Sequence, residues 1–176
     1  MKSLFERAKK RDITVLSDSN VSIVKDNDGK TPLHCLAISG KIEVLSHKDC
    51  SLVKDNDGET PLHLLAEKGK IEVLSHKDCS VVKNNYGETP LHGLAWEGKI
   101  EVLSHKDCSI IKDNSGWTPL HLLAREGKIE VSHLKELFPW YKRKCKGKVT
   151  EKEIDEILNT SQGIQYILEE DSHEKE

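Results

Sequence analysis

The sequence has no apolar run approaching the roughly 18–20 residues that a membrane-spanning helix needs, and its 176 residues hold only two Phe, three Tyr and three Trp. The first shortage excludes a transmembrane reading. The second leaves a single round core thinly supplied, because hydrophobic residues reach 36% against 32% charged. A layered stack needs fewer large side chains per layer, so composition leans toward a repeat architecture. An excess of one charge is also missing. A net charge of −3 gives no global pull toward nucleic acid or an anionic membrane. Residues 1–11 are charged and carry no apolar stretch, so no secretory signal is expected. Cysteine is scarce and odd in number, at five. Cys50, Cys79 and Cys108 recur at fixed spacing, while Cys35 and Cys145 stand apart. Equivalent sites in adjacent layers lie roughly 8–10 Å apart, beyond the about 7 Å that a disulfide tolerates. Reduced thiols and a cytoplasmic location are therefore expected.

What the chain does have is a period. Thr31-Pro32-Leu33-His34 returns at 60–63, 89–92 and 118–121, a spacing of 29 each time. Segments 25–53, 54–82 and 83–111 align without a gap, and 112–140 follows them as far as Val131. Residues 1–24 form a degenerate copy. Shifted by 29, Leu4 falls on Leu33, Ala8 on Ala37, Val15 on Val44 and Val24 on Val53. The Thr-Pro start is absent there, which predicts an N-terminal capping repeat.

Each unit reads the same way. Thr31 suits a helix N-cap and Pro32 its first turn, where a missing N–H costs nothing. Leu33, Leu36 and Ala37 make an i, i+3, i+4 apolar stripe. Gly40 suits a left-handed C-cap. Ile42, Val44 and Leu45 start a second, very short helix, and Asp26-Asn27-Asp28-Gly29 is turn chemistry. The pattern Asp26-x-x-Gly29-x-Thr31-Pro32-Leu33-His34-x-x-Ala37-x-x-Gly40, repeated in tandem, resembles the ankyrin repeat over residues 1 to about 135. The usual ankyrin period is about 33. The missing residues fall after Leu45, close to one helical turn. The resemblance implies an all-α fold, an ankyrin-like α-solenoid of stacked helix-turn-helix repeats with a shortened second helix. It also implies that the four repeated histidines hydrogen-bond within and between units with support from Thr.

Beyond the repeats, Ser132 to Phe138 lengthens the second helix of 112–140. A basic stretch, 140–148, carries Trp140 and Tyr141. Stripes at Ile154, Ile157 and Leu158 and at Ile164, Ile167 and Leu168 predict a C-terminal helical cap over 141–170, followed by a charged tail at 171–176.

Other chemistry is weighed against this reading. His47-Lys48-Asp49-Cys50, repeated at 76–79 and 105–108, supplies two zinc-type ligands per unit. A tetrahedron would need ligands from the next layer, which the layer spacing is expected to place out of reach. Cys is then a small hydrophobe and His a cap. Asp26–Gly29 mimics a calcium loop, but the positions five before and six after the Gly hold Val24 and Cys35. No phosphate-binding glycine loop and no nucleophile elbow occur. No enzyme activity, cofactor or metal is expected. A metal-responsive or nucleic-acid-associated role, through the His-x-x-Cys series or residues 140–148, and a purely structural spacer are the alternatives.

Comparing units locates the variable columns. The turn column reads Asp28, Asp57, Tyr86 and Ser115. Two residues on it reads Lys30, Glu59, Glu88 and Trp117. The first-helix end reads Ile38, Glu67, Trp96 and Arg125, then Ser39, Lys68, Glu97 and Glu126. The column Cys35, Leu64, Gly93 and Leu122 reads as core adjustment. The resemblance implies that the four outward columns lie on the turn tips and concave helix ends that ankyrin proteins use for partners. Tyr86, Trp96 and Trp117 suit a binding patch, since Trp, Tyr and Arg dominate hot spots. Acids outnumber bases in these columns. The expected partner is a protein that is mildly basic around an apolar plug, bound by a monomer acting as adaptor, scaffold or inhibitor.

Overall fold

The fold is taken from a computed structural model that describes residues 3–105, 107, 108 and 111–125, with only the backbone of 124 and 125. The predicted C-terminal cap, the tail and the basic stretch lie outside the described residues. Among the described residues, five short α-helices alternate with 3-10 turns: α1 (Leu4–Lys9), α2 (Pro32–Ile38), α3 (Pro61–Ala66), α4 (Pro90–Trp96) and α5 (Pro119–Arg125), with 3-10 segments at Ile13–Ser17, Ile42–Ser46, Ile71–Ser75 and Ile100–Ser104. No strand occurs among the described residues. Each α-helix packs on its sequence neighbours, α1 on α2 through α4 on α5.

Helices of six or seven residues are too short to persist alone in water, so packing and capping must hold them. Thr60 is the N-cap of α3 and Pro61 opens it. The His63 side chain takes the Thr60 N–H on Nδ1 at 3.2 Å and reaches the Glu88 carbonyl of the next unit through Nε2 at 3.1 Å. Nδ1 accepts a backbone proton, so Nε2 carries the hydrogen and donates it. Leu62, Leu65 and Ala66 are fully buried on this helix. Each buried Leu contributes roughly 1.5–3 kcal/mol, which outweighs the poor helix propensity of so short a segment.

The second element is a 3-10 turn of five residues, not a shortened α-helix. Val44 is its single buried residue, and Ser46 Oγ bonds the Glu43 carbonyl at 2.7 Å. Leu45 adds partial packing on the core, but five residues are too few for a second helical turn. The chain instead makes a further turn closed by Cys50 N–H to His47 O at 3.0 Å, and Cys50, fully buried, adds a further apolar contact.

Adjacent units are bolted by one set of hydrogen bonds that repeats every 29 residues. Between the units holding α2 and α3, Lys25 Nζ donates to Lys54 O at 2.7 Å, Ser51 Oγ to Asp78 Oδ2 at 2.6 Å and Asn56 Nδ2 to Asn27 O at 3.0 Å. One unit on, Lys54 donates to Lys83 O, Ser80 to Asp107 and Asn85 to Asn56 O. The register of the stack is therefore set by polar groups, while Leu and Ala supply the core.

Candidate binding surface

A constant frame presents the variable turn residues. Asp55 Oδ1 accepts the N–H groups of Asp57 at 3.0 Å and Glu59 at 2.9 Å, and Asn84 Oδ1 does the same for Tyr86 and Glu88. Asp113 does so for Ser115 and Trp117. Gly29 sits at φ +75°, and a Cβ there would lie 2.9 Å from the Asn56 backbone N of the next unit. The turn is thus pinned from inside and from the neighbouring layer. The side chains at its tip are left to vary.

The structure divides the expected contact residues. Asp28, Asp57, Ser115, Lys68, Glu67 and Glu97 are exposed. Tyr86 is 60% exposed, Trp96 44% and Ile38 39%. Three others are tied inward. Lys30 Nζ lies 3.0 Å from the buried Asp55 Oδ2, and Ser39 Oγ bonds Cys35 O at 3.0 Å. Trp117 packs against the core and its ring sits 5.9 Å from that of His121. Trp117 is thus a packing residue and not only a candidate contact. The Arg125 side chain and Glu126 lie outside the described residues.

Turn tips and first-helix ends share one face. Glu67, at the end of α3, and Glu88, on the following turn, line a single notch with His63, Asn84, Thr89, Pro90 and Gly93. Glu88 Oε2 is held by Asn84 Nδ2 at 3.1 Å. The notch was not legible in the sequence. In its column Cys35, Leu64 and Leu122 are buried at 7, 5 and 1% exposure, and Gly93 alone contributes no side chain.

Residues 8–81 match the family model for ankyrin repeats, in three copies. Within that span the repeats are ankyrin repeats. Among curated proteins, no match is found. Ankyrin repeats generally mediate protein–protein interaction, and the family is typically non-enzymatic. No helix among the described residues is long and apolar enough to cross a membrane.

Electrostatics differ along the ankyrin stack. Burial most strongly opposes the charge on Asp55, but the Lys30 ammonium and the backbone N–H groups of Glu59 and Asp57 together outweigh it and hold the carboxyl below its ordinary range. One unit on, the equivalent residue is Asn84 and the Lys30 position holds Glu59. Burial, then the hydrogen-bonded Glu67 carboxylate, pushes Glu59 up to about 8. The acid-rich part of this face thus begins at the second full repeat.

The His-x-x-Cys series corrects one expectation. The next layer's histidine does reach the cysteine: His76 Nε2 lies 3.2 Å from Cys50 Sγ and His105 Nε2 3.3 Å from Cys79 Sγ. The imidazole spans the layer boundary from the turn that follows. The contact is a pair. Among the described residues no group of three or more His, Cys, Asp or Glu is arranged to hold a metal ion. Burial, with Asp78 and Asp49 beside it, pushes the Cys50 thiol up to about 11, and burial with Asp107 nearby does the same for Cys79. Such thiols are poor nucleophiles at neutral pH.

Proposed function

We propose that this chain is a protein-binding module, an adaptor, scaffold or inhibitor, that grips a protein partner across the turn tips and first-helix ends of its stack. The observation that carries the reading is Tyr86 and Trp96, 60% and 44% exposed, in the same repeat on a face that the described residues leave open. A fold of this kind gains little from leaving large aromatics in water, and aromatics centre binding hot spots. Around them stand Glu59, Glu67, Glu88 and Glu97, with Ile38 at one end, which favours a partner that is basic around an apolar plug. In this reading units 25–53, 54–82, 83–111 and 112–140 are the repeats, residues 1–24 and 141–170 are caps, and the working form is a cytoplasmic monomer.

The test compares proteins retained from native lysate by the intact chain and by a Tyr86→Ala/Trp96→Ala variant of equal stability. The reading expects a stoichiometric protein held by the first and lost from the second. Retention of the same proteins by both would remove this face from consideration.

A further inference from the structure

We infer that the edge of the stack carrying Ile23, Leu52 and Val81 docks an acidic amphipathic helix of a protein partner, laid along the stack with one apolar residue over each layer. The inference stands apart from the face proposed above, because none of these residues belongs to the variable columns there.

Ile23, Leu52 and Val81 recur every 29 residues and are 67, 68 and 68% exposed. Val53 and Val82, the next residues, pack against the core, and Lys54 and Lys83 are exposed again. Side chains therefore alternate out, in, out, as on an extended segment, and each aliphatic shares its side with a lysine. A lone exposed aliphatic is ordinary, but three held in one column form a surface. Cross-layer bonds fix that column from both sides. One residue before it, Ser22 and Ser51 Oγ donate to Asp49 and Asp78 at 2.6 Å. Two residues after it, Lys25 and Lys54 Nζ donate to the carbonyls of Lys54 and Lys83 at 2.7 and 2.6 Å. His-Lys-Asp-Cys-Ser is identical at 47–51, 76–80 and 105–109, whereas the residue that follows is Leu52, Val81 or Ile110. The position changes and stays aliphatic, although at Leu52 and Val81 the core does not use it.

The flanking charges select the occupant. Lys25, Lys54 and Lys83 form a row, one per layer, each held by a carbonyl that positions the ammonium without neutralising it. Lys48 and Lys77 are exposed and lie one turn before Leu52 and Val81, in turns closed by Val53 N–H to Asp49 O and Val82 N–H to Asp78 O at 3.2 Å. Among the described residues, none of these five lysines forms an ion pair. Two such edges set face to face would oppose like charges, which disfavours a second copy of this chain. A column one residue wide, on a chain of net charge −3, is weak anchoring for an anionic membrane. An acidic, apolar-striped partner satisfies lysines and aliphatics together.

The spacing selects a helix. Packed helices set layers roughly 8–10 Å apart. An α-helix returns to one face every seven residues, about 10.5 Å, close to one layer. An extended strand repeats on one face at roughly 6.6 or 13 Å and falls out of step.

The test displays a library of helical peptides against the full chain and counter-selects on Ile23→Ser/Leu52→Ser/Val81→Ser, whose exposed positions leave the fold intact. Thermal melts by circular dichroism check that the two are equally stable. Surviving peptides should be net acidic and carry aliphatics seven residues apart. Replacing their acids by amides should weaken binding about tenfold in fluorescence polarisation. Lys48→Gln/Lys77→Gln, which touches no cross-layer bond, should weaken it about threefold. Tyr86→Ala/Trp96→Ala should leave it unchanged, so this edge and the face proposed above fail separately. No survivors, basic survivors, or survivors without the seven-residue spacing would overturn the inference. Three findings on the free chain would overturn it by naming another occupant: co-sedimentation with phosphatidylserine vesicles that the triple Ser variant loses, a dimer that this variant disperses, or zero-length cross-links from Lys54 to carboxylates beyond residue 140.

Discussion

His76 Nε2 lies 3.2 Å from Cys50 Sγ across a layer boundary, and His105 meets Cys79 in the same way one unit later. The direction of the hydrogen bond is fixed. The Asp78 N–H reaches His76 Nδ1 at 3.2 Å, which leaves Nε2 protonated in the neutral ring and aimed at sulfur. The thiol hydrogen is directed to the Leu45 carbonyl at 3.8 Å. Each pair therefore ties the 3-10 edge of one layer to the next without any charge.

Native Cys50 and Cys79 are expected to resist alkylation. Both are buried and both thiols are pushed up to about 11, so little thiolate exists at pH 8. Iodoacetamide labelling mapped by peptide mass should modify them only after unfolding. Rapid labelling of either in the native state would mean that the 3-10 edge opens freely.

Much of this frame was legible in the chain. Thr31, Pro32 and Gly40 each announce a helix boundary through their own stereochemistry, and a 29-residue spacing fixes what must be equivalent to what. Three features were not. Val44 and Leu45 sit in a segment of five residues, too short to complete a second helical turn, so it closes as a 3-10 turn instead of an α-helix. The Cys50–His76 contact depends on where the His76 ring points across the layer boundary, which a backbone spacing does not reveal. Gly93 looked like a packing variation because a missing side chain is visible as a notch only once Glu67 and Glu88 are in place around it.

Acid should weaken the stack through its buried histidines. Burial lowers His34, His63 and His92 below 6.5, His63 to about 4. Between those values the unfolded chain binds protons that the folded chain does not, so stability is full above about pH 6.5 and falls as pH drops toward 4. Glu59 acts the other way. Its rise from 4.5 to about 8 gives the folded chain the extra proton, so its contribution is lost as pH rises through that window. Urea denaturation from pH 4 to 9 should show both limbs, and Glu59→Gln should flatten the alkaline one while leaving the acid one. An alkaline limb unchanged in Glu59→Gln would contradict this assignment.

The N-terminal unit contains one strained residue. Arg11 has φ +65°, in the position where Gly40, Gly69 and Gly98 stand in the following units at similar angles. A side chain there costs roughly 1–2 kcal/mol relative to the ordinary region. Arg11→Gly should therefore stabilise the chain by up to about 1 kcal/mol, after the entropy that glycine adds to the unfolded state. A lowered melting temperature would show that Arg11 makes contacts worth more than its strain.

Trp96 and Trp117 should separate in their effects. Trp96 is 44% exposed, and Trp96→Ala should cost less stability than Trp117→Ala. Trp117 packs against the core and beside the His121 ring, so Trp117→Ala should cost about 1–3 kcal/mol. Equal costs in denaturant melts would remove the distinction between a displayed aromatic and a packing one.

Stacking itself is tested most directly by excising residues 54–82, one full period, so that Val53 runs into Lys83. The bonds that Lys25, His34 and Ser51 make to one layer would then find their equivalents in the next. Thermal melts followed by circular dichroism should show a shorter array that still folds cooperatively, with a lower midpoint than the intact chain. A chain that loses its helical signal altogether on removal of this segment would mean that the layers share one indivisible core, which contradicts a stack of separable units.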